Sequence, residues 1–347
     1  MQARTTIRPA GPADDAARDE FVRAHPEGTF FHLTGWRNVI QRHMGHESRD
    51  LLAFQGEQLV GVLPLMNCRG LFGGRQLISM PYAVYGGPLG LAAEIDRELV
   101  QHAEQIAVRE QAGRLELRCL TDPKLELLGS ELYYTFIREL PGEVDEVLAR
   151  MPKKARAEAR KARDKHGLEL SEGIWFLDDL IRLFHRNKRA LGSPGLPVEY
   201  FRGLPQEFGD RVAVHLVRRG SEPLAAVLSF LYEDTILAYY SGTAEGADRA
   251  YSASNFMYLG LQEWAVEHGY RKFDFGRSRK DAGAFGFKVR QGFEPQPLHY
   301  RYRLVRDKGL PSLTPSNPRT KVLRDTWSRL PLWLTTRLSK RAARYLP

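Results

Sequence analysis

The residue best suited to chemistry is Asp274, in the run Phe273-Asp-Phe-Gly276. Read as a strand, the run sends Phe273 and Phe275 to one face and Asp274 and Gly276 to the other. Arg277 follows at the strand's end, where an α/β sheet presents ligand-facing groups. A carboxylate so placed suits a catalytic or substrate-binding role, and a structural Asp–Arg pair suits it equally. Lys288 lies in a stretch rich in glycine and aromatics, residues 283–292. By residue type alone it reads as a surface lysine. Tyr85 precedes Gly86 and Gly87, and Tyr240 precedes Ser241 and Gly242. Glycine there lets a ligand approach the backbone, while the tyrosines serve as substrate contacts or as packing. No Ser-His-Asp or Cys-His order stands out, so no activated nucleophile of that kind is expected. Neither CxxC nor HxxxH occurs, so no metal site is expected. Cys68 and Cys119 lie in apolar, strand-like runs and read as small buried hydrophobes.

These groups fall at matching points of an internal repeat. In the first half, a strand is expected from Gln58 to Leu65, then PYAVYGG, a helix over 92–111 and a strand from Arg114 to Cys119. In the second half, a strand is expected from Pro223 to Phe230, then AYYSG, a helix over 255–268 and a strand from Arg271 to Gly276. Gly86 to Glu116 spans 30 residues and Ser241 to Asp274 spans 33. Matched order, matched spacing and an acid in each last strand argue for a duplicated α/β unit with mixed sheets. Each copy opens with helices and a hairpin closed by a short turn, 55–57 or 219–222. The expected division is a first unit over 1–150, a basic linker helix over 151–167, a second unit over 168–306 and a basic amphipathic tail over 307–347.

The chain has 347 residues, with 51 Lys and Arg against 42 Asp and Glu, a net charge of +9, and 43% hydrophobic residues. That excludes disordered, collagen-like and disulfide-scaffold classes. The charge is local: +5 between Lys153 and Lys165 and +7 from Arg319 to Pro347, which leaves −3 elsewhere. A protein that coats nucleic acid generally is therefore disfavoured. The first basic segment reads as a helix with Ala155, Ala159 and Ala162 on one face and Lys153, Arg156, Arg160 and Arg163 on another. It is either a solvated linker or a phosphate-binding stripe. The second mixes Trp327, Trp333 and leucines with arginines and is broken at Pro331. Its Trp/Leu stripe is expected to dock on the protein; the alternative is an anionic membrane surface. No apolar run reaches the ~20 residues of a spanning helix. The N-terminus has no signal-peptide core. A cytoplasmic protein without a transmembrane segment is expected.

Several motifs carry a family likeness. Thr29 to Trp36 (TFFHLTGW), Pro81 to Pro88 (PYAVYGGP), the RxxxRKAxxxxGL run of Arg156 to Leu168, Phe273 to Ser278 (FDFGRS), Phe287-Lys288 and Gly292 to Pro295 (GFEP) together resemble the FemAB/FemX family of tandem GNAT-fold acyltransferases. The likeness covers roughly residues 20–305. The block from Phe273 to Tyr300 is most similar to FemAB-like proteins that accompany exosortase/PEP-CTERM and exopolysaccharide systems. The long coiled-coil arm of larger family members is missing, so no role of that arm is carried over.

The resemblance implies two tandem GNAT domains joined by the basic helix. It also implies transfer of an acyl or aminoacyl group to an amine on a cell-envelope or exopolysaccharide precursor. Asp274, Lys288 and Tyr240 are then the catalytic candidates, with Lys288 stabilising the transition-state oxygen or a phosphate. Trp36, Tyr82, Tyr85, Gly86, Gly87, Arg156, Arg160, Asn255, Arg277 and Ser278 are the substrate-binding candidates. The loop from Leu191 to Pro197 resembles the family's "LGTP" loop and is expected to border the cleft. In a GNAT fold a pyrophosphate sits on helix N-terminal amides; the corresponding slot here is Arg249-Ala-Tyr-Ser252-Ala-Ser254, with serines in place of glycines. Acyl-CoA or aminoacyl-tRNA is the implied co-substrate, none of it tightly bound, and helix capping by Ser252 or Ser254 is the competing reading. Implied partners are an anionic glycan or lipid-linked precursor, tRNA, and the inner membrane through the tail. The rival functions are a catalytically silent scaffold at the membrane and an RNA-binding protein.

Overall fold

A computed structural model of the chain describes residues 4–70, 74–310 and 318–347, the last segment with side chains from residue 321. Residues 311–317 of the expected tail lie outside the described residues. The fold is mixed α/β and forms two compact units. One holds residues 4–132, 297–310 and 341–347; the other holds 133–296 and 318–340.

The first unit is built on two sheets. Thr5–Pro9, Leu51–Gln55, Gln58–Leu63 and Leu89–Gly90 form an antiparallel four-stranded sheet. The hairpin turn uses Gly56 at φ 60°, the left-handed backbone such turns demand. The expected strand through Leu65 stops at Leu63, because Pro64 has no N–H for a ladder, and the chain resumes as Met66–Arg69 in the other sheet. That six-stranded sheet runs Glu47–Ser48, Met66–Arg69, Arg75–Ile78, Arg114–Cys119, His299–Leu304, Leu128–Ser130. Its one parallel pair is Arg75–Ile78 with Arg114–Cys119, bridged by the helix Ala93–Arg109. That helix buries Ile95, Leu99, Ala103 and Ile106, residues at helical spacing, against Leu51, Leu77, Leu115 and Leu117.

The second unit has a six-stranded sheet in the order Ile137–Glu139, Lys272–Asp274, Thr235–Thr243, Glu222–Tyr232, Val212–Arg219, Glu169–Glu172. Again one pair is parallel, Thr235–Thr243 with Lys272–Asp274. Its bridging helix, Ala253–Glu267, is apolar on most sides and buries Phe256, Met257, Leu259, Leu261 and Ala265. The helices Leu177–Ala190 and Val198–Phe208 bring Phe184, Tyr200 and Phe201 against Tyr240.

The compact units depart from the expected boundaries. Ile137–Glu139 precedes the basic helix yet pairs with Lys272–Asp274 of the second unit. His299–Leu304 follows the second unit's helices yet pairs with Arg114–Cys119 of the first. The basic segment, a helix over Lys153–Arg160 continued as a π-helix to Lys165, packs within the second unit: Ala155 and Ala159 pack against Leu259. The alanine face is thus buried as expected, but the helix is part of a unit and not a link between two. Both cysteines are free and buried. Among the described residues no helix is long and apolar enough to cross a membrane.

Candidate functional site

The parallel ladder of the second unit is short. It joins Thr235 to Lys272, Ile236 to Phe273 and Leu237 to Asp274, and then the strands part. From Ala238 onward the strand has a ladder only with Glu222–Tyr232, and Phe275 turns its N–H to Phe136 O at 2.9 Å. Tyr239 is the extra residue of a bulge opposite Leu228 and Ser229, a device that bends a strand and re-aims its side chains. The result is a wedge-shaped cleft between 238–243 and 275–278.

Asp274 lies at the root of this cleft, 3% exposed. Its Oδ1 accepts the N–H of Gly276 at 2.7 Å and the hydroxyl of Thr135 at 3.3 Å. The carboxylate braces the turn at Gly276, whose φ is 65°. Lys288, on the helix Gly283–Arg290, is buried and not on the surface. Its Nζ donates to the carbonyls of Phe275, Gly276 and Arg277 at 2.7, 2.9 and 3.3 Å. An ammonium has three hydrogens, so all of them are engaged and Lys288 clamps the strand end. Burial lowers its pKa to about 7, with Asp274 opposing and Arg277 adding to the fall. Both residues thus position the 275–277 backbone, where the family likeness implied direct contact with the reacting atoms. Arg277 itself lies over the Tyr133 ring at 4.5 Å. Ser278 is buried and its Oγ has no hydrogen-bond partner among the described residues.

Tyr240 sits in an aromatic cluster with Phe184, Phe201 and Phe230, its hydroxyl 2.9 Å from that of Tyr200. Gly242 does not make room for a ligand: a Cβ there would lie 2.4 Å from Phe184 N, so the glycine admits the helix Leu177–Ala190. In the loop from Leu191 to Pro197, Gly195 N donates to Ser339 Oγ at 3.0 Å, and a Cβ on Gly192 would meet Arg324. The sequence reading passed over Lys188 and Tyr258. Lys188 is half-buried over the Phe184 ring, and burial and then Arg277 lower its pKa. Tyr258 donates to Ser241 Oγ at 3.3 Å and packs on Phe275. The signal for Lys188 was its place four residues after Phe184 on one amphipathic helix.

The pyrophosphate slot is arranged differently from the family pattern. Ser254 N donates to Asp248 Oδ1 at 2.7 Å and Ser254 Oγ to Asp248 Oδ2 at 3.0 Å. Asp248, not Ser252 or Ser254, therefore caps the helix Ala253–Glu267, and a carboxylate occupies the place where a phosphate would be bound. Ser252 Oγ donates to Glu158 at 2.5 Å. The helix amides do not fit a pyrophosphate in this arrangement. Beside them lies a cavity of about 1020 Å³ whose lining includes Arg186, Arg189 and Arg249 together with the acids Glu245 and Asp248. Asn255 accepts from Gln291 at 2.5 Å. On the basic helix, Arg156 donates to Ala149 O at 3.2 Å, and Arg160 is exposed.

The first unit's candidates are mostly internal. Trp36 is fully buried, with Nε1 donating to Pro81 O at 3.2 Å and its ring against Phe31; it is a core residue and not a substrate contact. His32 is likewise structural: burial lowers its pKa to about 3, and Nε2 faces Gly87 O at 3.0 Å. Tyr82 donates to Ala343 O at 2.9 Å and stacks on His46. Gly86 and Gly87 serve chain packing, since Cβ atoms there would lie 2.5 Å from Ser79 O and 2.8 Å from Cys119 Sγ. Together with Tyr85 they also line a cavity of about 280 Å³.

Pro331 breaks the terminal segment into Pro318–Arg329 and Leu332–Ala342, as expected. The docking is only partly that expected: Trp327, Leu330 and Leu334 of the stripe are half-buried, and Trp333 and Leu338 are exposed. Thr335 and Ser339 are buried, while Val322, Leu323 and Trp333 are 74%, 73% and 67% exposed.

Comparison with known proteins agrees with this architecture. Residues 149–289 match the model of the acetyltransferase (GNAT) domain family. No curated protein matches the chain. Among solved structures, FemX is 14% identical, with a TM-score of 0.64 over 87% of this chain and 98% of that one. The C-terminal domain of a putative lysylphosphatidylglycerol synthetase from Agrobacterium fabrum is 15% identical, with a TM-score of 0.57 over 84% and 92%. A tandem GNAT protein from the clavulanic acid biosynthesis pathway is 12% identical, with a TM-score of 0.57 over 87% and 98%. At these identities the likeness is one of fold, and the chain carries a GNAT-type acyltransferase fold.

Proposed function

We propose that this chain is a FemAB-type acyl- or aminoacyltransferase whose chemical step takes place in the second unit's cleft. The observation that carries this reading is the early end of the parallel ladder at Leu237–Asp274. Beyond it the two strands diverge, and the Lys288 clamp holds one of them, at 275–277. A rigid, partly desolvated strand edge is suited to hold an activated carbonyl and stabilise its developing oxyanion. A neutral amine then attacks directly: the new C–N bond forms, the donor's acyl C–S or C–O bond breaks, and the amine's proton passes through solvent to the departing thiolate or alkoxide. Asp274 and Lys288 fix the 275–277 strand end that forms one wall of this cleft. The arginines of the neighbouring cavity are placed to take the phosphates of an acyl-CoA or aminoacyl-tRNA donor, without the helix amides. The acceptor class is an amine on a cell-envelope or exopolysaccharide precursor. Exposed Val322, Leu323 and Trp333 among basic residues suit contact with the inner face of an anionic membrane.

A second reading, a catalytically silent scaffold, is favoured by one observation, the Asp248 carboxylate at the helix N-terminus. The test that separates them is mass spectrometry of the purified chain after incubation with labelled acyl-CoA, aminoacyl-tRNA and amino-sugar acceptors. Amide product supports transfer; intact donors in every arm, with retained vesicle binding, support the scaffold.

A further inference from the structure

The cavity of about 280 Å³ in the first unit has a charge imbalance that the transfer reading does not use. Asp96, on the first turn of the helix Ala93–Arg109, lines it. Its Oδ1 lies beside Gly90, buried and with no hydrogen-bond partner among the described residues. Glu27 stands exposed on the same lining. Nearby cations are spoken for or peripheral: Arg97 pairs with Glu94 at 2.5 Å, and Arg301 pairs with Asp122 at 2.6 Å. Lys124 is exposed. His32 and Cys119, which also line the space, are neutral: burial lowers the pKa of the first and raises that of the second. The remaining wall is largely carbon, including Tyr85, Leu89 and Leu120.

A buried carboxyl oxygen with no partner is costly unless something supplies the missing donor. Among the described residues no group of three or more acidic, His or Cys side chains could hold a metal ion, and the apolar wall calls for a carbon-bearing ligand. We propose that this cavity binds a small organic ammonium ion, its charged end on the Asp96 carboxylate with Glu27 reinforcing it and its carbon stem against Tyr85, Leu89 and Leu120. The site lies wholly within the first unit and does not rest on the transfer reading. Burial, with Glu27 adding to it and Gly90 and Arg97 opposing, pushes the Asp96 pKa up to about 7. Ammonium binding therefore strengthens as pH rises through 7.

The experiment is isothermal titration calorimetry of the full chain with n-butylammonium chloride, with butan-1-ol and calcium chloride as comparison ligands and no acyl donor present. Saturable one-to-one binding of butylammonium at pH 8 is expected, with no heat from butan-1-ol. Asp96→Asn should weaken binding by about 10- to 100-fold, as for a lost charged hydrogen bond. Glu27→Gln, a surface change that leaves folding alone, should weaken it by about 2- to 5-fold. Lowering the pH from 8 to 6 should cost about 10-fold, from protonation of a carboxylate near 7. Equal binding of butan-1-ol, displacement by calcium, unchanged affinity in Asp96→Asn or absence of saturable binding would each overturn the proposal.

Discussion

The two units place an acid at the same point of the same device and use it differently. In the first, Ile78 pairs with Glu116 at the end of the parallel ladder; in the second, Leu237 pairs with Asp274. Past Glu116 the chain closes its own wedge. Ser79 N donates to Glu116 O at 2.8 Å and Gly86 N to Arg118 O at 2.9 Å. The Arg118 guanidinium adds bonds to Ala83 O and Met80 O. Glu116 itself is ion-paired, 2.8 Å from Arg118 and 3.7 Å from Arg114. Past Asp274 the ladder ends, and the acid braces a turn that Lys288 clamps. One copy ties its diverging strands together with hydrogen bonds and ion pairs; in the other the strands part after Asp274, and a turn and a lysine clamp hold one strand end.

That contrast can be broken by substitution. The largest effect on stability is expected from Glu116→Gln, which removes the Glu116 charge from its ion pair with the buried Arg118. Breaking such a pair costs about 3–5 kcal/mol. Urea unfolding should show this, while transfer per folded molecule stays at the wild-type level. Lys288→Met should do the opposite. Three carbonyls lose one donor, at about 1–3 kcal/mol in unfolding, whereas transfer should fall about 100-fold, or ~2.7 kcal/mol in the barrier. Equal losses of activity in the two variants would erase the distinction between the units.

A smaller effect sharpens the account of the first unit. The Asp96 pKa is raised by burial to about 7, against ~3.9 for an unfolded chain. Between those values the native state binds the extra proton, so this residue's contribution to stability is present below pH 4 and lost as pH rises through 7. Asp96 is partly exposed, so solvent screening reduces the effect to on the order of 1–2 kcal/mol. Asp96→Asn should match the wild type near pH 4 and exceed it by that amount at pH 8 in thermal melts. The smallest effect is expected from Trp333→Ala, within about 0.5 kcal/mol for an exposed side chain. It should nonetheless reduce sedimentation with anionic vesicles.

Much of this architecture was legible in the sequence because the repeat has strong local signals. The hairpins carry Gly56 and Gly220 at their turns, and the bridging helices and return strands keep one spacing. The exchanged strands were not legible. Ile137–Glu139 has three residues, too few to show a period, and the two-residue alternation of His299–Leu304 names no partner strand. The site was legible as a location but not as roles. FDFG placed Asp274 at a strand end, yet nothing in the string foretold that Gly276 and Thr135 would take its oxygen or that three carbonyls would take Lys288. Trp36 sits in a motif that reads as a binding signature, yet it is buried against Phe30 and Phe31 of that same motif and the Pro81 carbonyl. Asp96 stayed hidden because an acid in a helix's first turn is ordinarily a complement to the helix dipole.

The central claim is that the second unit's open wedge performs acyl transfer. Its most direct test is amide formation by the purified full chain from labelled acyl-CoA or aminoacyl-tRNA, measured in wild type, Glu116→Gln and Lys288→Met at a temperature where all three are folded by circular dichroism. The account predicts product from wild type and Glu116→Gln, and about 100-fold less from Lys288→Met. Undiminished product from folded Lys288→Met, or none from wild type with any donor, would contradict it.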